Sequence, residues 1–309
     1  MTEKRINGYI YSKGTKEGFL KMKRQGIPRP IFTFENKLAK ILKSRYEEYI
    51  KKLLKDLKAQ CKTNNIILDN ALEDDRLESL LKFFDDMKKE YDSQQAENEK
   101  TIGRINLKTV ANTLEHQWAE DEGKEETEYF VKKIDKVLEV EQADYLKRLM
   151  ADADGRTAKL LLSFSVDKQK FFNENLAEIR KLYLDNSIDR IKGEESLLKR
   201  KILQRIIDYA TGATKELDLS TLVKEAYTGS DHLARLFARD QMQRFNKACT
   251  LATFKAAKVT KIKWVTCGDR RVRPTHKALN GRTFDIDNLP SEIDDYNCRC
   301  GLVPVEWSD

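Results

Sequence analysis

Three cysteines and one histidine near the carboxyl terminus carry the most specific chemistry in this sequence. Cys267, His276, Cys298 and Cys300 supply the sulfur and imidazole donors that a tetrahedral zinc ion takes, provided that the last two fold back against the first two. The single residue between Cys298 and Cys300 is tighter than ordinary zinc-knuckle spacing. Two readings therefore stand side by side: a zinc site, or a small core of thiols and hydrogen bonds, because ligand geometry does not follow from spacing. Asp269 and Arg271 are two apart, so in an extended segment they share a face, where an ion pair or a carboxylate-to-backbone bond would pin the loop. Asn280 and Gly281, between Leu279 and Thr283, give a hairpin-type turn signal. Arg299, flanked by cysteines that point inward, either projects to an exposed face or reaches an internal carboxylate.

A metal-dependent nuclease or other hydrolase needs a base, an electrophile or metal, and a positioned substrate. His276 with Asp269 and Arg271 is the local set nearest to that description, and the other histidines, His116 and His232, fall within helical patterns. No acid-base pair or metal motif of ordinary specificity accompanies the set, so no catalytic residue is assigned.

A second kind of chemistry lies at the other end. The first thirty residues hold Lys4, Arg5, Lys13, Lys16, Lys21, Lys23, Arg24 and Arg29 against Glu3 and Glu17, a net of +6 out of +7 for the whole chain. Such an arm can neutralise phosphates of double-stranded DNA, with Tyr9, Tyr11 and Phe19 available for stacking. It can equally dock on a partner protein, since charge alone reports no sequence specificity.

The elements that must position these residues are mostly helical. Charged residues make up 35% of the chain while Gly and Pro number only 13 and 5, and apolar residues recur at three- and four-residue steps. Pro28 and Pro30 close an extended arm at about Phe32. From there Leu38, Ile41, Leu42, Tyr46, Tyr49 and Ile50 begin an amphipathic stripe that continues to Leu57. A second stripe from Leu72 to Tyr91 completes a helical hairpin, and further helices are expected over Leu107 to Trp118 and around Phe130 to Leu138. The stripe from Phe172 to Ile191 is punctuated at Gly193 before resuming from Leu197 to Ile207. Ser220 and Asp231 are candidate N-caps, the last helix running from about His232 to Ala257. After Lys258 the pattern changes: Lys261 to Thr266 alternates as a strand and Leu302 to Trp307 reads as a second. The expected fold is mainly α, a long helical body with a small α+β carboxyl-terminal domain. Its parts are a basic arm at 1–30, the helical body at 31–257 and the Cys/His-containing domain at 258–309.

An odd count of five cysteines, with Cys61 and Cys249 alone in helical patterns, argues for reduced thiols rather than a secreted disulfide framework. The first residues carry no apolar run of signal-peptide length and no stretch reads as a membrane span, so a soluble chain made in the cytosol is expected.

The run from Trp264 through Cys267, Asp269, Arg271 and His276, then Leu279-Asn280-Gly281, and finally Asn297-Cys298-Arg299-Cys300 with Pro304, resembles the carboxyl-terminal signature of the phage Mu F-like minor head proteins. Ala238-Arg239-Asp240-Gln241 is similar to the helix that leads into that signature, so the likeness spans about the last seventy residues. The chain departs from the pattern where many such proteins carry a Cys-x-x-Cys pair and this one has Arg273 and His276. The resemblance implies a minor capsid component of a tailed-phage particle, at the portal vertex or inner head, acting in head assembly, DNA packaging or DNA ejection. Its implied partners are the portal protein, the major capsid or scaffolding protein, and packaged double-stranded DNA, with no membrane. A non-specific DNA-binding module is the alternative, and the hydrolase a more distant one.

Overall fold

The computed structural model describes residues 5–6, 9–10, 32–64, 97–120, 125–152, 155–214, 219–268 and 270–308. Within them the protein is mainly helical and ends in a small mixed α and β segment, as the periodicity predicts. In chain order the elements are strands β1 (Arg5–Ile6) and β2 (Tyr9–Ile10), then helices α1 (Phe32–Thr63), α2 (Glu97–Glu120), α3 (Glu125–Asp152), α4 (Gly155–Leu162), α5 (Val166–Ala210) and α6 (Leu219–Ala256). Strand β3 (Val259–Val265), helix α7 (Pro274–Leu279), strand β4 (Thr283–Asp285), a 3-10 turn at Ser291–Asp294 and strand β5 (Gly301–Trp307) follow. The helix expected over Leu72 to Tyr91 lies outside the described residues, as do most of the basic arm and all its side chains. What is described of the arm pairs antiparallel, Arg5 with Ile10 and Ile6 with Tyr9.

Two helix boundaries differ from expectation. Gly193 does not interrupt its stripe, because α5 runs through it for 45 residues. A glycine costs a helix about 1 kcal/mol, less than the apolar faces on either side recover by burial. Asp231 is likewise not an N-cap, since α6 begins at Leu219 and contains both it and Ser220. The Asp231 carboxylate instead accepts from Arg235 Nε one turn on, at 2.7 Å.

Contacts divide the chain into two units. One comprises 39–133 and 187–235. Its core is built by three sequence-distant stripes: Ile50, Leu53, Leu54 and Leu57 on α1, Leu107, Val110 and Leu114 on α2, and Leu198, Ile202 and Ile206 on α5. Each position recurs at three- or four-residue steps, so one face of each helix enters the cluster. Burial of each such side chain contributes roughly 1.5–3 kcal/mol. Polar groups at the edge are paired: Trp118 Nε1 donates to Asp56 at 2.9 Å, Lys199 Nζ donates to the Trp118 carbonyl at 2.8 Å, and Arg45 Nε meets Glu195 at 2.8 Å.

The other unit comprises 1–38, 134–186 and 236–309. Here helical segments of α3, α5 and α6 share polar as well as apolar contacts. Tyr145 and Thr250 hydroxyls are 2.8 Å apart, Gln142 donates to the Leu176 carbonyl at 2.7 Å, and Asn246 donates to Glu141 at 3.0 Å. Glu141 is almost fully buried, and burial raises its carboxyl to about 7 despite the hydrogen bond from Asn246 and the charge of Arg148. The three-stranded sheet has the order β4-β3-β5, all antiparallel. Ile262 and Trp264 alternate inward with no exposed surface, while Lys261 pairs outward with Glu306 of β5 at 2.7 Å. Pro304 is accommodated because β5 is an edge strand.

Candidate functional site: a buried histidine and cysteine cluster

The site is assembled on the sheet from two connections. Pro274 opens α7 at its first turn, where a missing N–H costs nothing, and sets His276 over the Trp264 ring with centroids 5.4 Å apart. The helix ends in a turn whose central residues are Asn280 (φ −59, ψ 120) and Gly281 (φ +83), closed by Arg282 N–H donating to the Leu279 carbonyl at 3.0 Å. These are type II values, and the second central position needs a residue that tolerates positive φ. The Asn-Gly signal thus marks a helix-to-strand turn rather than a hairpin between strands. Asn280 Oδ1 also accepts from Thr266 N–H at 3.0 Å and its hydroxyl at 3.1 Å, tying the turn to the end of β3.

The second connection leads from the 3-10 turn into β5. Cys298 N–H donates to the Asp295 carbonyl at 3.3 Å, with Asn297 at φ +56, a conformation that asparagine adopts more readily than most residues. Helix α6 holds this turn at two points: Asp240 accepts from Asn297 N–H at 2.7 Å, and Lys247 Nζ donates to the Ile293 carbonyl at 3.0 Å. The block around Asp240 and the Asn-Cys-Arg-Cys block, separate in sequence, are therefore one contact in space.

Between the two connections lie His276, Cys298 and Cys300, all buried, their donor atoms within 4.8 Å of one another. His276 Nδ1 is 3.4 Å from Cys298 Sγ and 3.5 Å from Cys300 Sγ, and His276 Nε2 is 2.7 Å from Asp295 Oδ2. The hydrogen bond from His276 holds the Asp295 carboxyl below its ordinary range. The two thiols act as one unit. Donation from the Cys300 side chain lowers Cys298, with Lys247 adding to it, and the same interaction with Cys298 raises Cys300. Cys267 is buried too, packed with Val265 and Val272, but it falls outside the three-residue group.

Arg299 reaches an internal carboxylate. Its Nη2 donates to both oxygens of Glu35, at 3.2 and 3.0 Å, and Gln243 Nε2 donates to the same carboxylate at 2.9 Å. Glu35 belongs to the first turn of α1, 264 residues away. Of the other expected site residues, Arg271 is exposed and Asp269 lies outside the described residues. Of the hydrolase set the described residues therefore include only His276 and Arg271, and both His276 ring nitrogens face other groups. Glu35, Asp240, Asn280 and Asp295 were not singled out from sequence as site residues. Asp240 lay in a block that carries the resemblance; Glu35 has no local signal at all.

This arrangement defines a mainly helical protein whose carboxyl-terminal end is a small cysteine- and histidine-bearing sheet unit locked to helix α6. Residues 200–303 match the model of the family described as phage Mu protein F like protein, a segment that holds the end of α5, all of α6 and the sheet unit as far as Val303. A Haemophilus influenzae protein described as uncharacterized is 28% identical over 135 residues, 42% of this chain. The match covers 30% of that relative's own length. No solved structure matches. Among the described residues, no helix is long and apolar enough to cross a membrane.

Proposed function

We propose that this chain is a minor head protein of a tailed phage, a structural component of head morphogenesis rather than a catalyst. The observation that carries the reading is the match of residues 200–303 to the phage Mu protein F like family. Two features of the molecule agree with it. Two polar side chains of the matched blocks hold the segment together, Asp240 on Asn297 and Asn280 on Thr266, which suits a recognition unit. The excess positive charge of the chain sits on residues 1–30, which suits contact with packaged double-stranded DNA. In this reading the folded part docks on the portal protein, at the portal vertex or inner head, and the arm touches DNA during packaging or ejection.

The test is capture of the purified chain by the portal protein of the same phage at low and high salt, with and without residues 1–30. Portal binding by the shortened chain should survive high salt. DNA retention by the full chain should fall about 10³-fold or more between about 50 and 200 mM salt, and should vanish with the arm. Failure to bind portal protein, together with salt-sensitive DNA retention, would replace this reading with a non-specific DNA-binding module.

A further inference from the structure

We propose that His276, Cys298 and Cys300, completed by Cys267, form a closed structural zinc site, with Asp295 as the residue that orients the imidazole. The argument starts from distances. Bond lengths of about 2.3 Å to sulfur and about 2.0–2.1 Å to nitrogen place N and S ligands of a tetrahedral zinc about 3.5–3.6 Å apart. His276 Nδ1 stands 3.4 Å from Cys298 Sγ and 3.5 Å from Cys300 Sγ, so these two separations match the nitrogen–sulfur edges of such a tetrahedron.

The orientation of the imidazole points the same way. With Nε2 at 2.7 Å from the Asp295 carboxylate, which can only accept, the ring proton belongs on Nε2. The Nδ1 lone pair then faces both sulfurs. A metal-bound histidine is held in this manner, its second nitrogen donating to a carboxylate that fixes tautomer and rotation.

Burial decides the class of site. His276, Cys298 and Cys300 are 2%, 5% and 6% exposed, and a zinc position without access for water needs four protein ligands. Cys267 is the remaining buried soft donor of the segment, on the loop between β3 and α7, and is the fourth ligand of this proposal although it stands outside the three-residue group. Binding converts the three thiols to thiolates and releases their protons, while the histidine stays neutral. The ion would then link the α7 connection, the turn before β5 and the end of β3.

The experiment uses the full-length chain. Metal content is measured after purification from zinc-supplemented medium; the metal is then removed and Co2+ added while absorption is followed. A stoichiometric metal, intense tetrahedral cobalt bands with a thiolate-to-metal charge-transfer band, and displacement by Zn2+ are expected. Absence of zinc and of cobalt bands in the unaltered chain, with thiols equally reactive before and after chelator, overturns the site in favour of a core of thiols and hydrogen bonds. Asp295→Asn should weaken zinc affinity about 10–100-fold with the circular dichroism spectrum unchanged. Cys267→Ser should diminish the charge-transfer band, and an identical spectrum overturns the four-ligand assignment.

Discussion

At the scale of single residues, two of the buried carboxylates are kept in different ways. Glu35 accepts hydrogen bonds from Arg299 and from the Gln243 amide, with both side chains of the ion pair about one-tenth exposed. Removing one partner of a buried pair leaves an uncompensated charge and costs about 3–5 kcal/mol. Arg299→Ala should therefore lower the urea midpoint strongly, whereas Arg299→Ala combined with Glu35→Gln should recover part of the loss. Glu141 is held close to neutrality instead, its carboxyl raised from 4.5 to about 7 chiefly by burial. Between those values the folded state binds a proton that the unfolded state does not, so this group makes stability fall as pH rises across that window. The difference amounts to at most about 3 kcal/mol. Glu141→Gln should flatten this part of the stability profile and stabilise the protein above pH 7, which denaturation of both forms at pH 5 and pH 8 would read.

At the scale of elements, the informative case is α5. A glycine inside a helical pattern reads as a possible stop, and sequence alone cannot say whether packing overrides it. The helix passes through Gly193, and a Cβ added there meets nothing within 4 Å. Gly193→Ala should accordingly stabilise the protein by about 0.5–1 kcal/mol, seen as a higher urea midpoint with unchanged m-value. A destabilising result would mean that the glycine is needed as a break. Gly281 is the contrasting position, because its φ of +83 is imposed by the type II turn that joins α7 to β4.

At the scale of the whole molecule, charge and fold are separable. Residues 31–309 carry a net charge of only +1 once the arm is set aside, so nearly all of the excess positive charge lies in the first thirty residues. Loss of DNA retention on deleting them, with the helical spectrum preserved, is the outcome that this separation requires. If the shortened chain still bound DNA steeply with salt, the contact would have to come from cations on the helical surface.

The helical class, the stripes of α1, α2 and α5, the change of texture at Lys258 and the strands β3 and β5 were legible in the sequence. Each depends on a local period or on β-branched and aromatic content, which a short window contains. So was the cysteine and histidine inventory of the carboxyl-terminal segment. What only the tertiary structure decided is which of those residues meet. His276 reaches Cys298 and Cys300 because a type II turn and an asparagine in the left-handed region aim two connections at one another. Arg299 finds Glu35 across 264 residues, and Asp240 caps the turn at Asn297 from a helix that sequence separates by 57. Spacing along a chain encodes faces of elements, whereas the partners of a buried charge or thiol are fixed by how those elements pack. That is why the ligand types could be read from the sequence and their assembly could not.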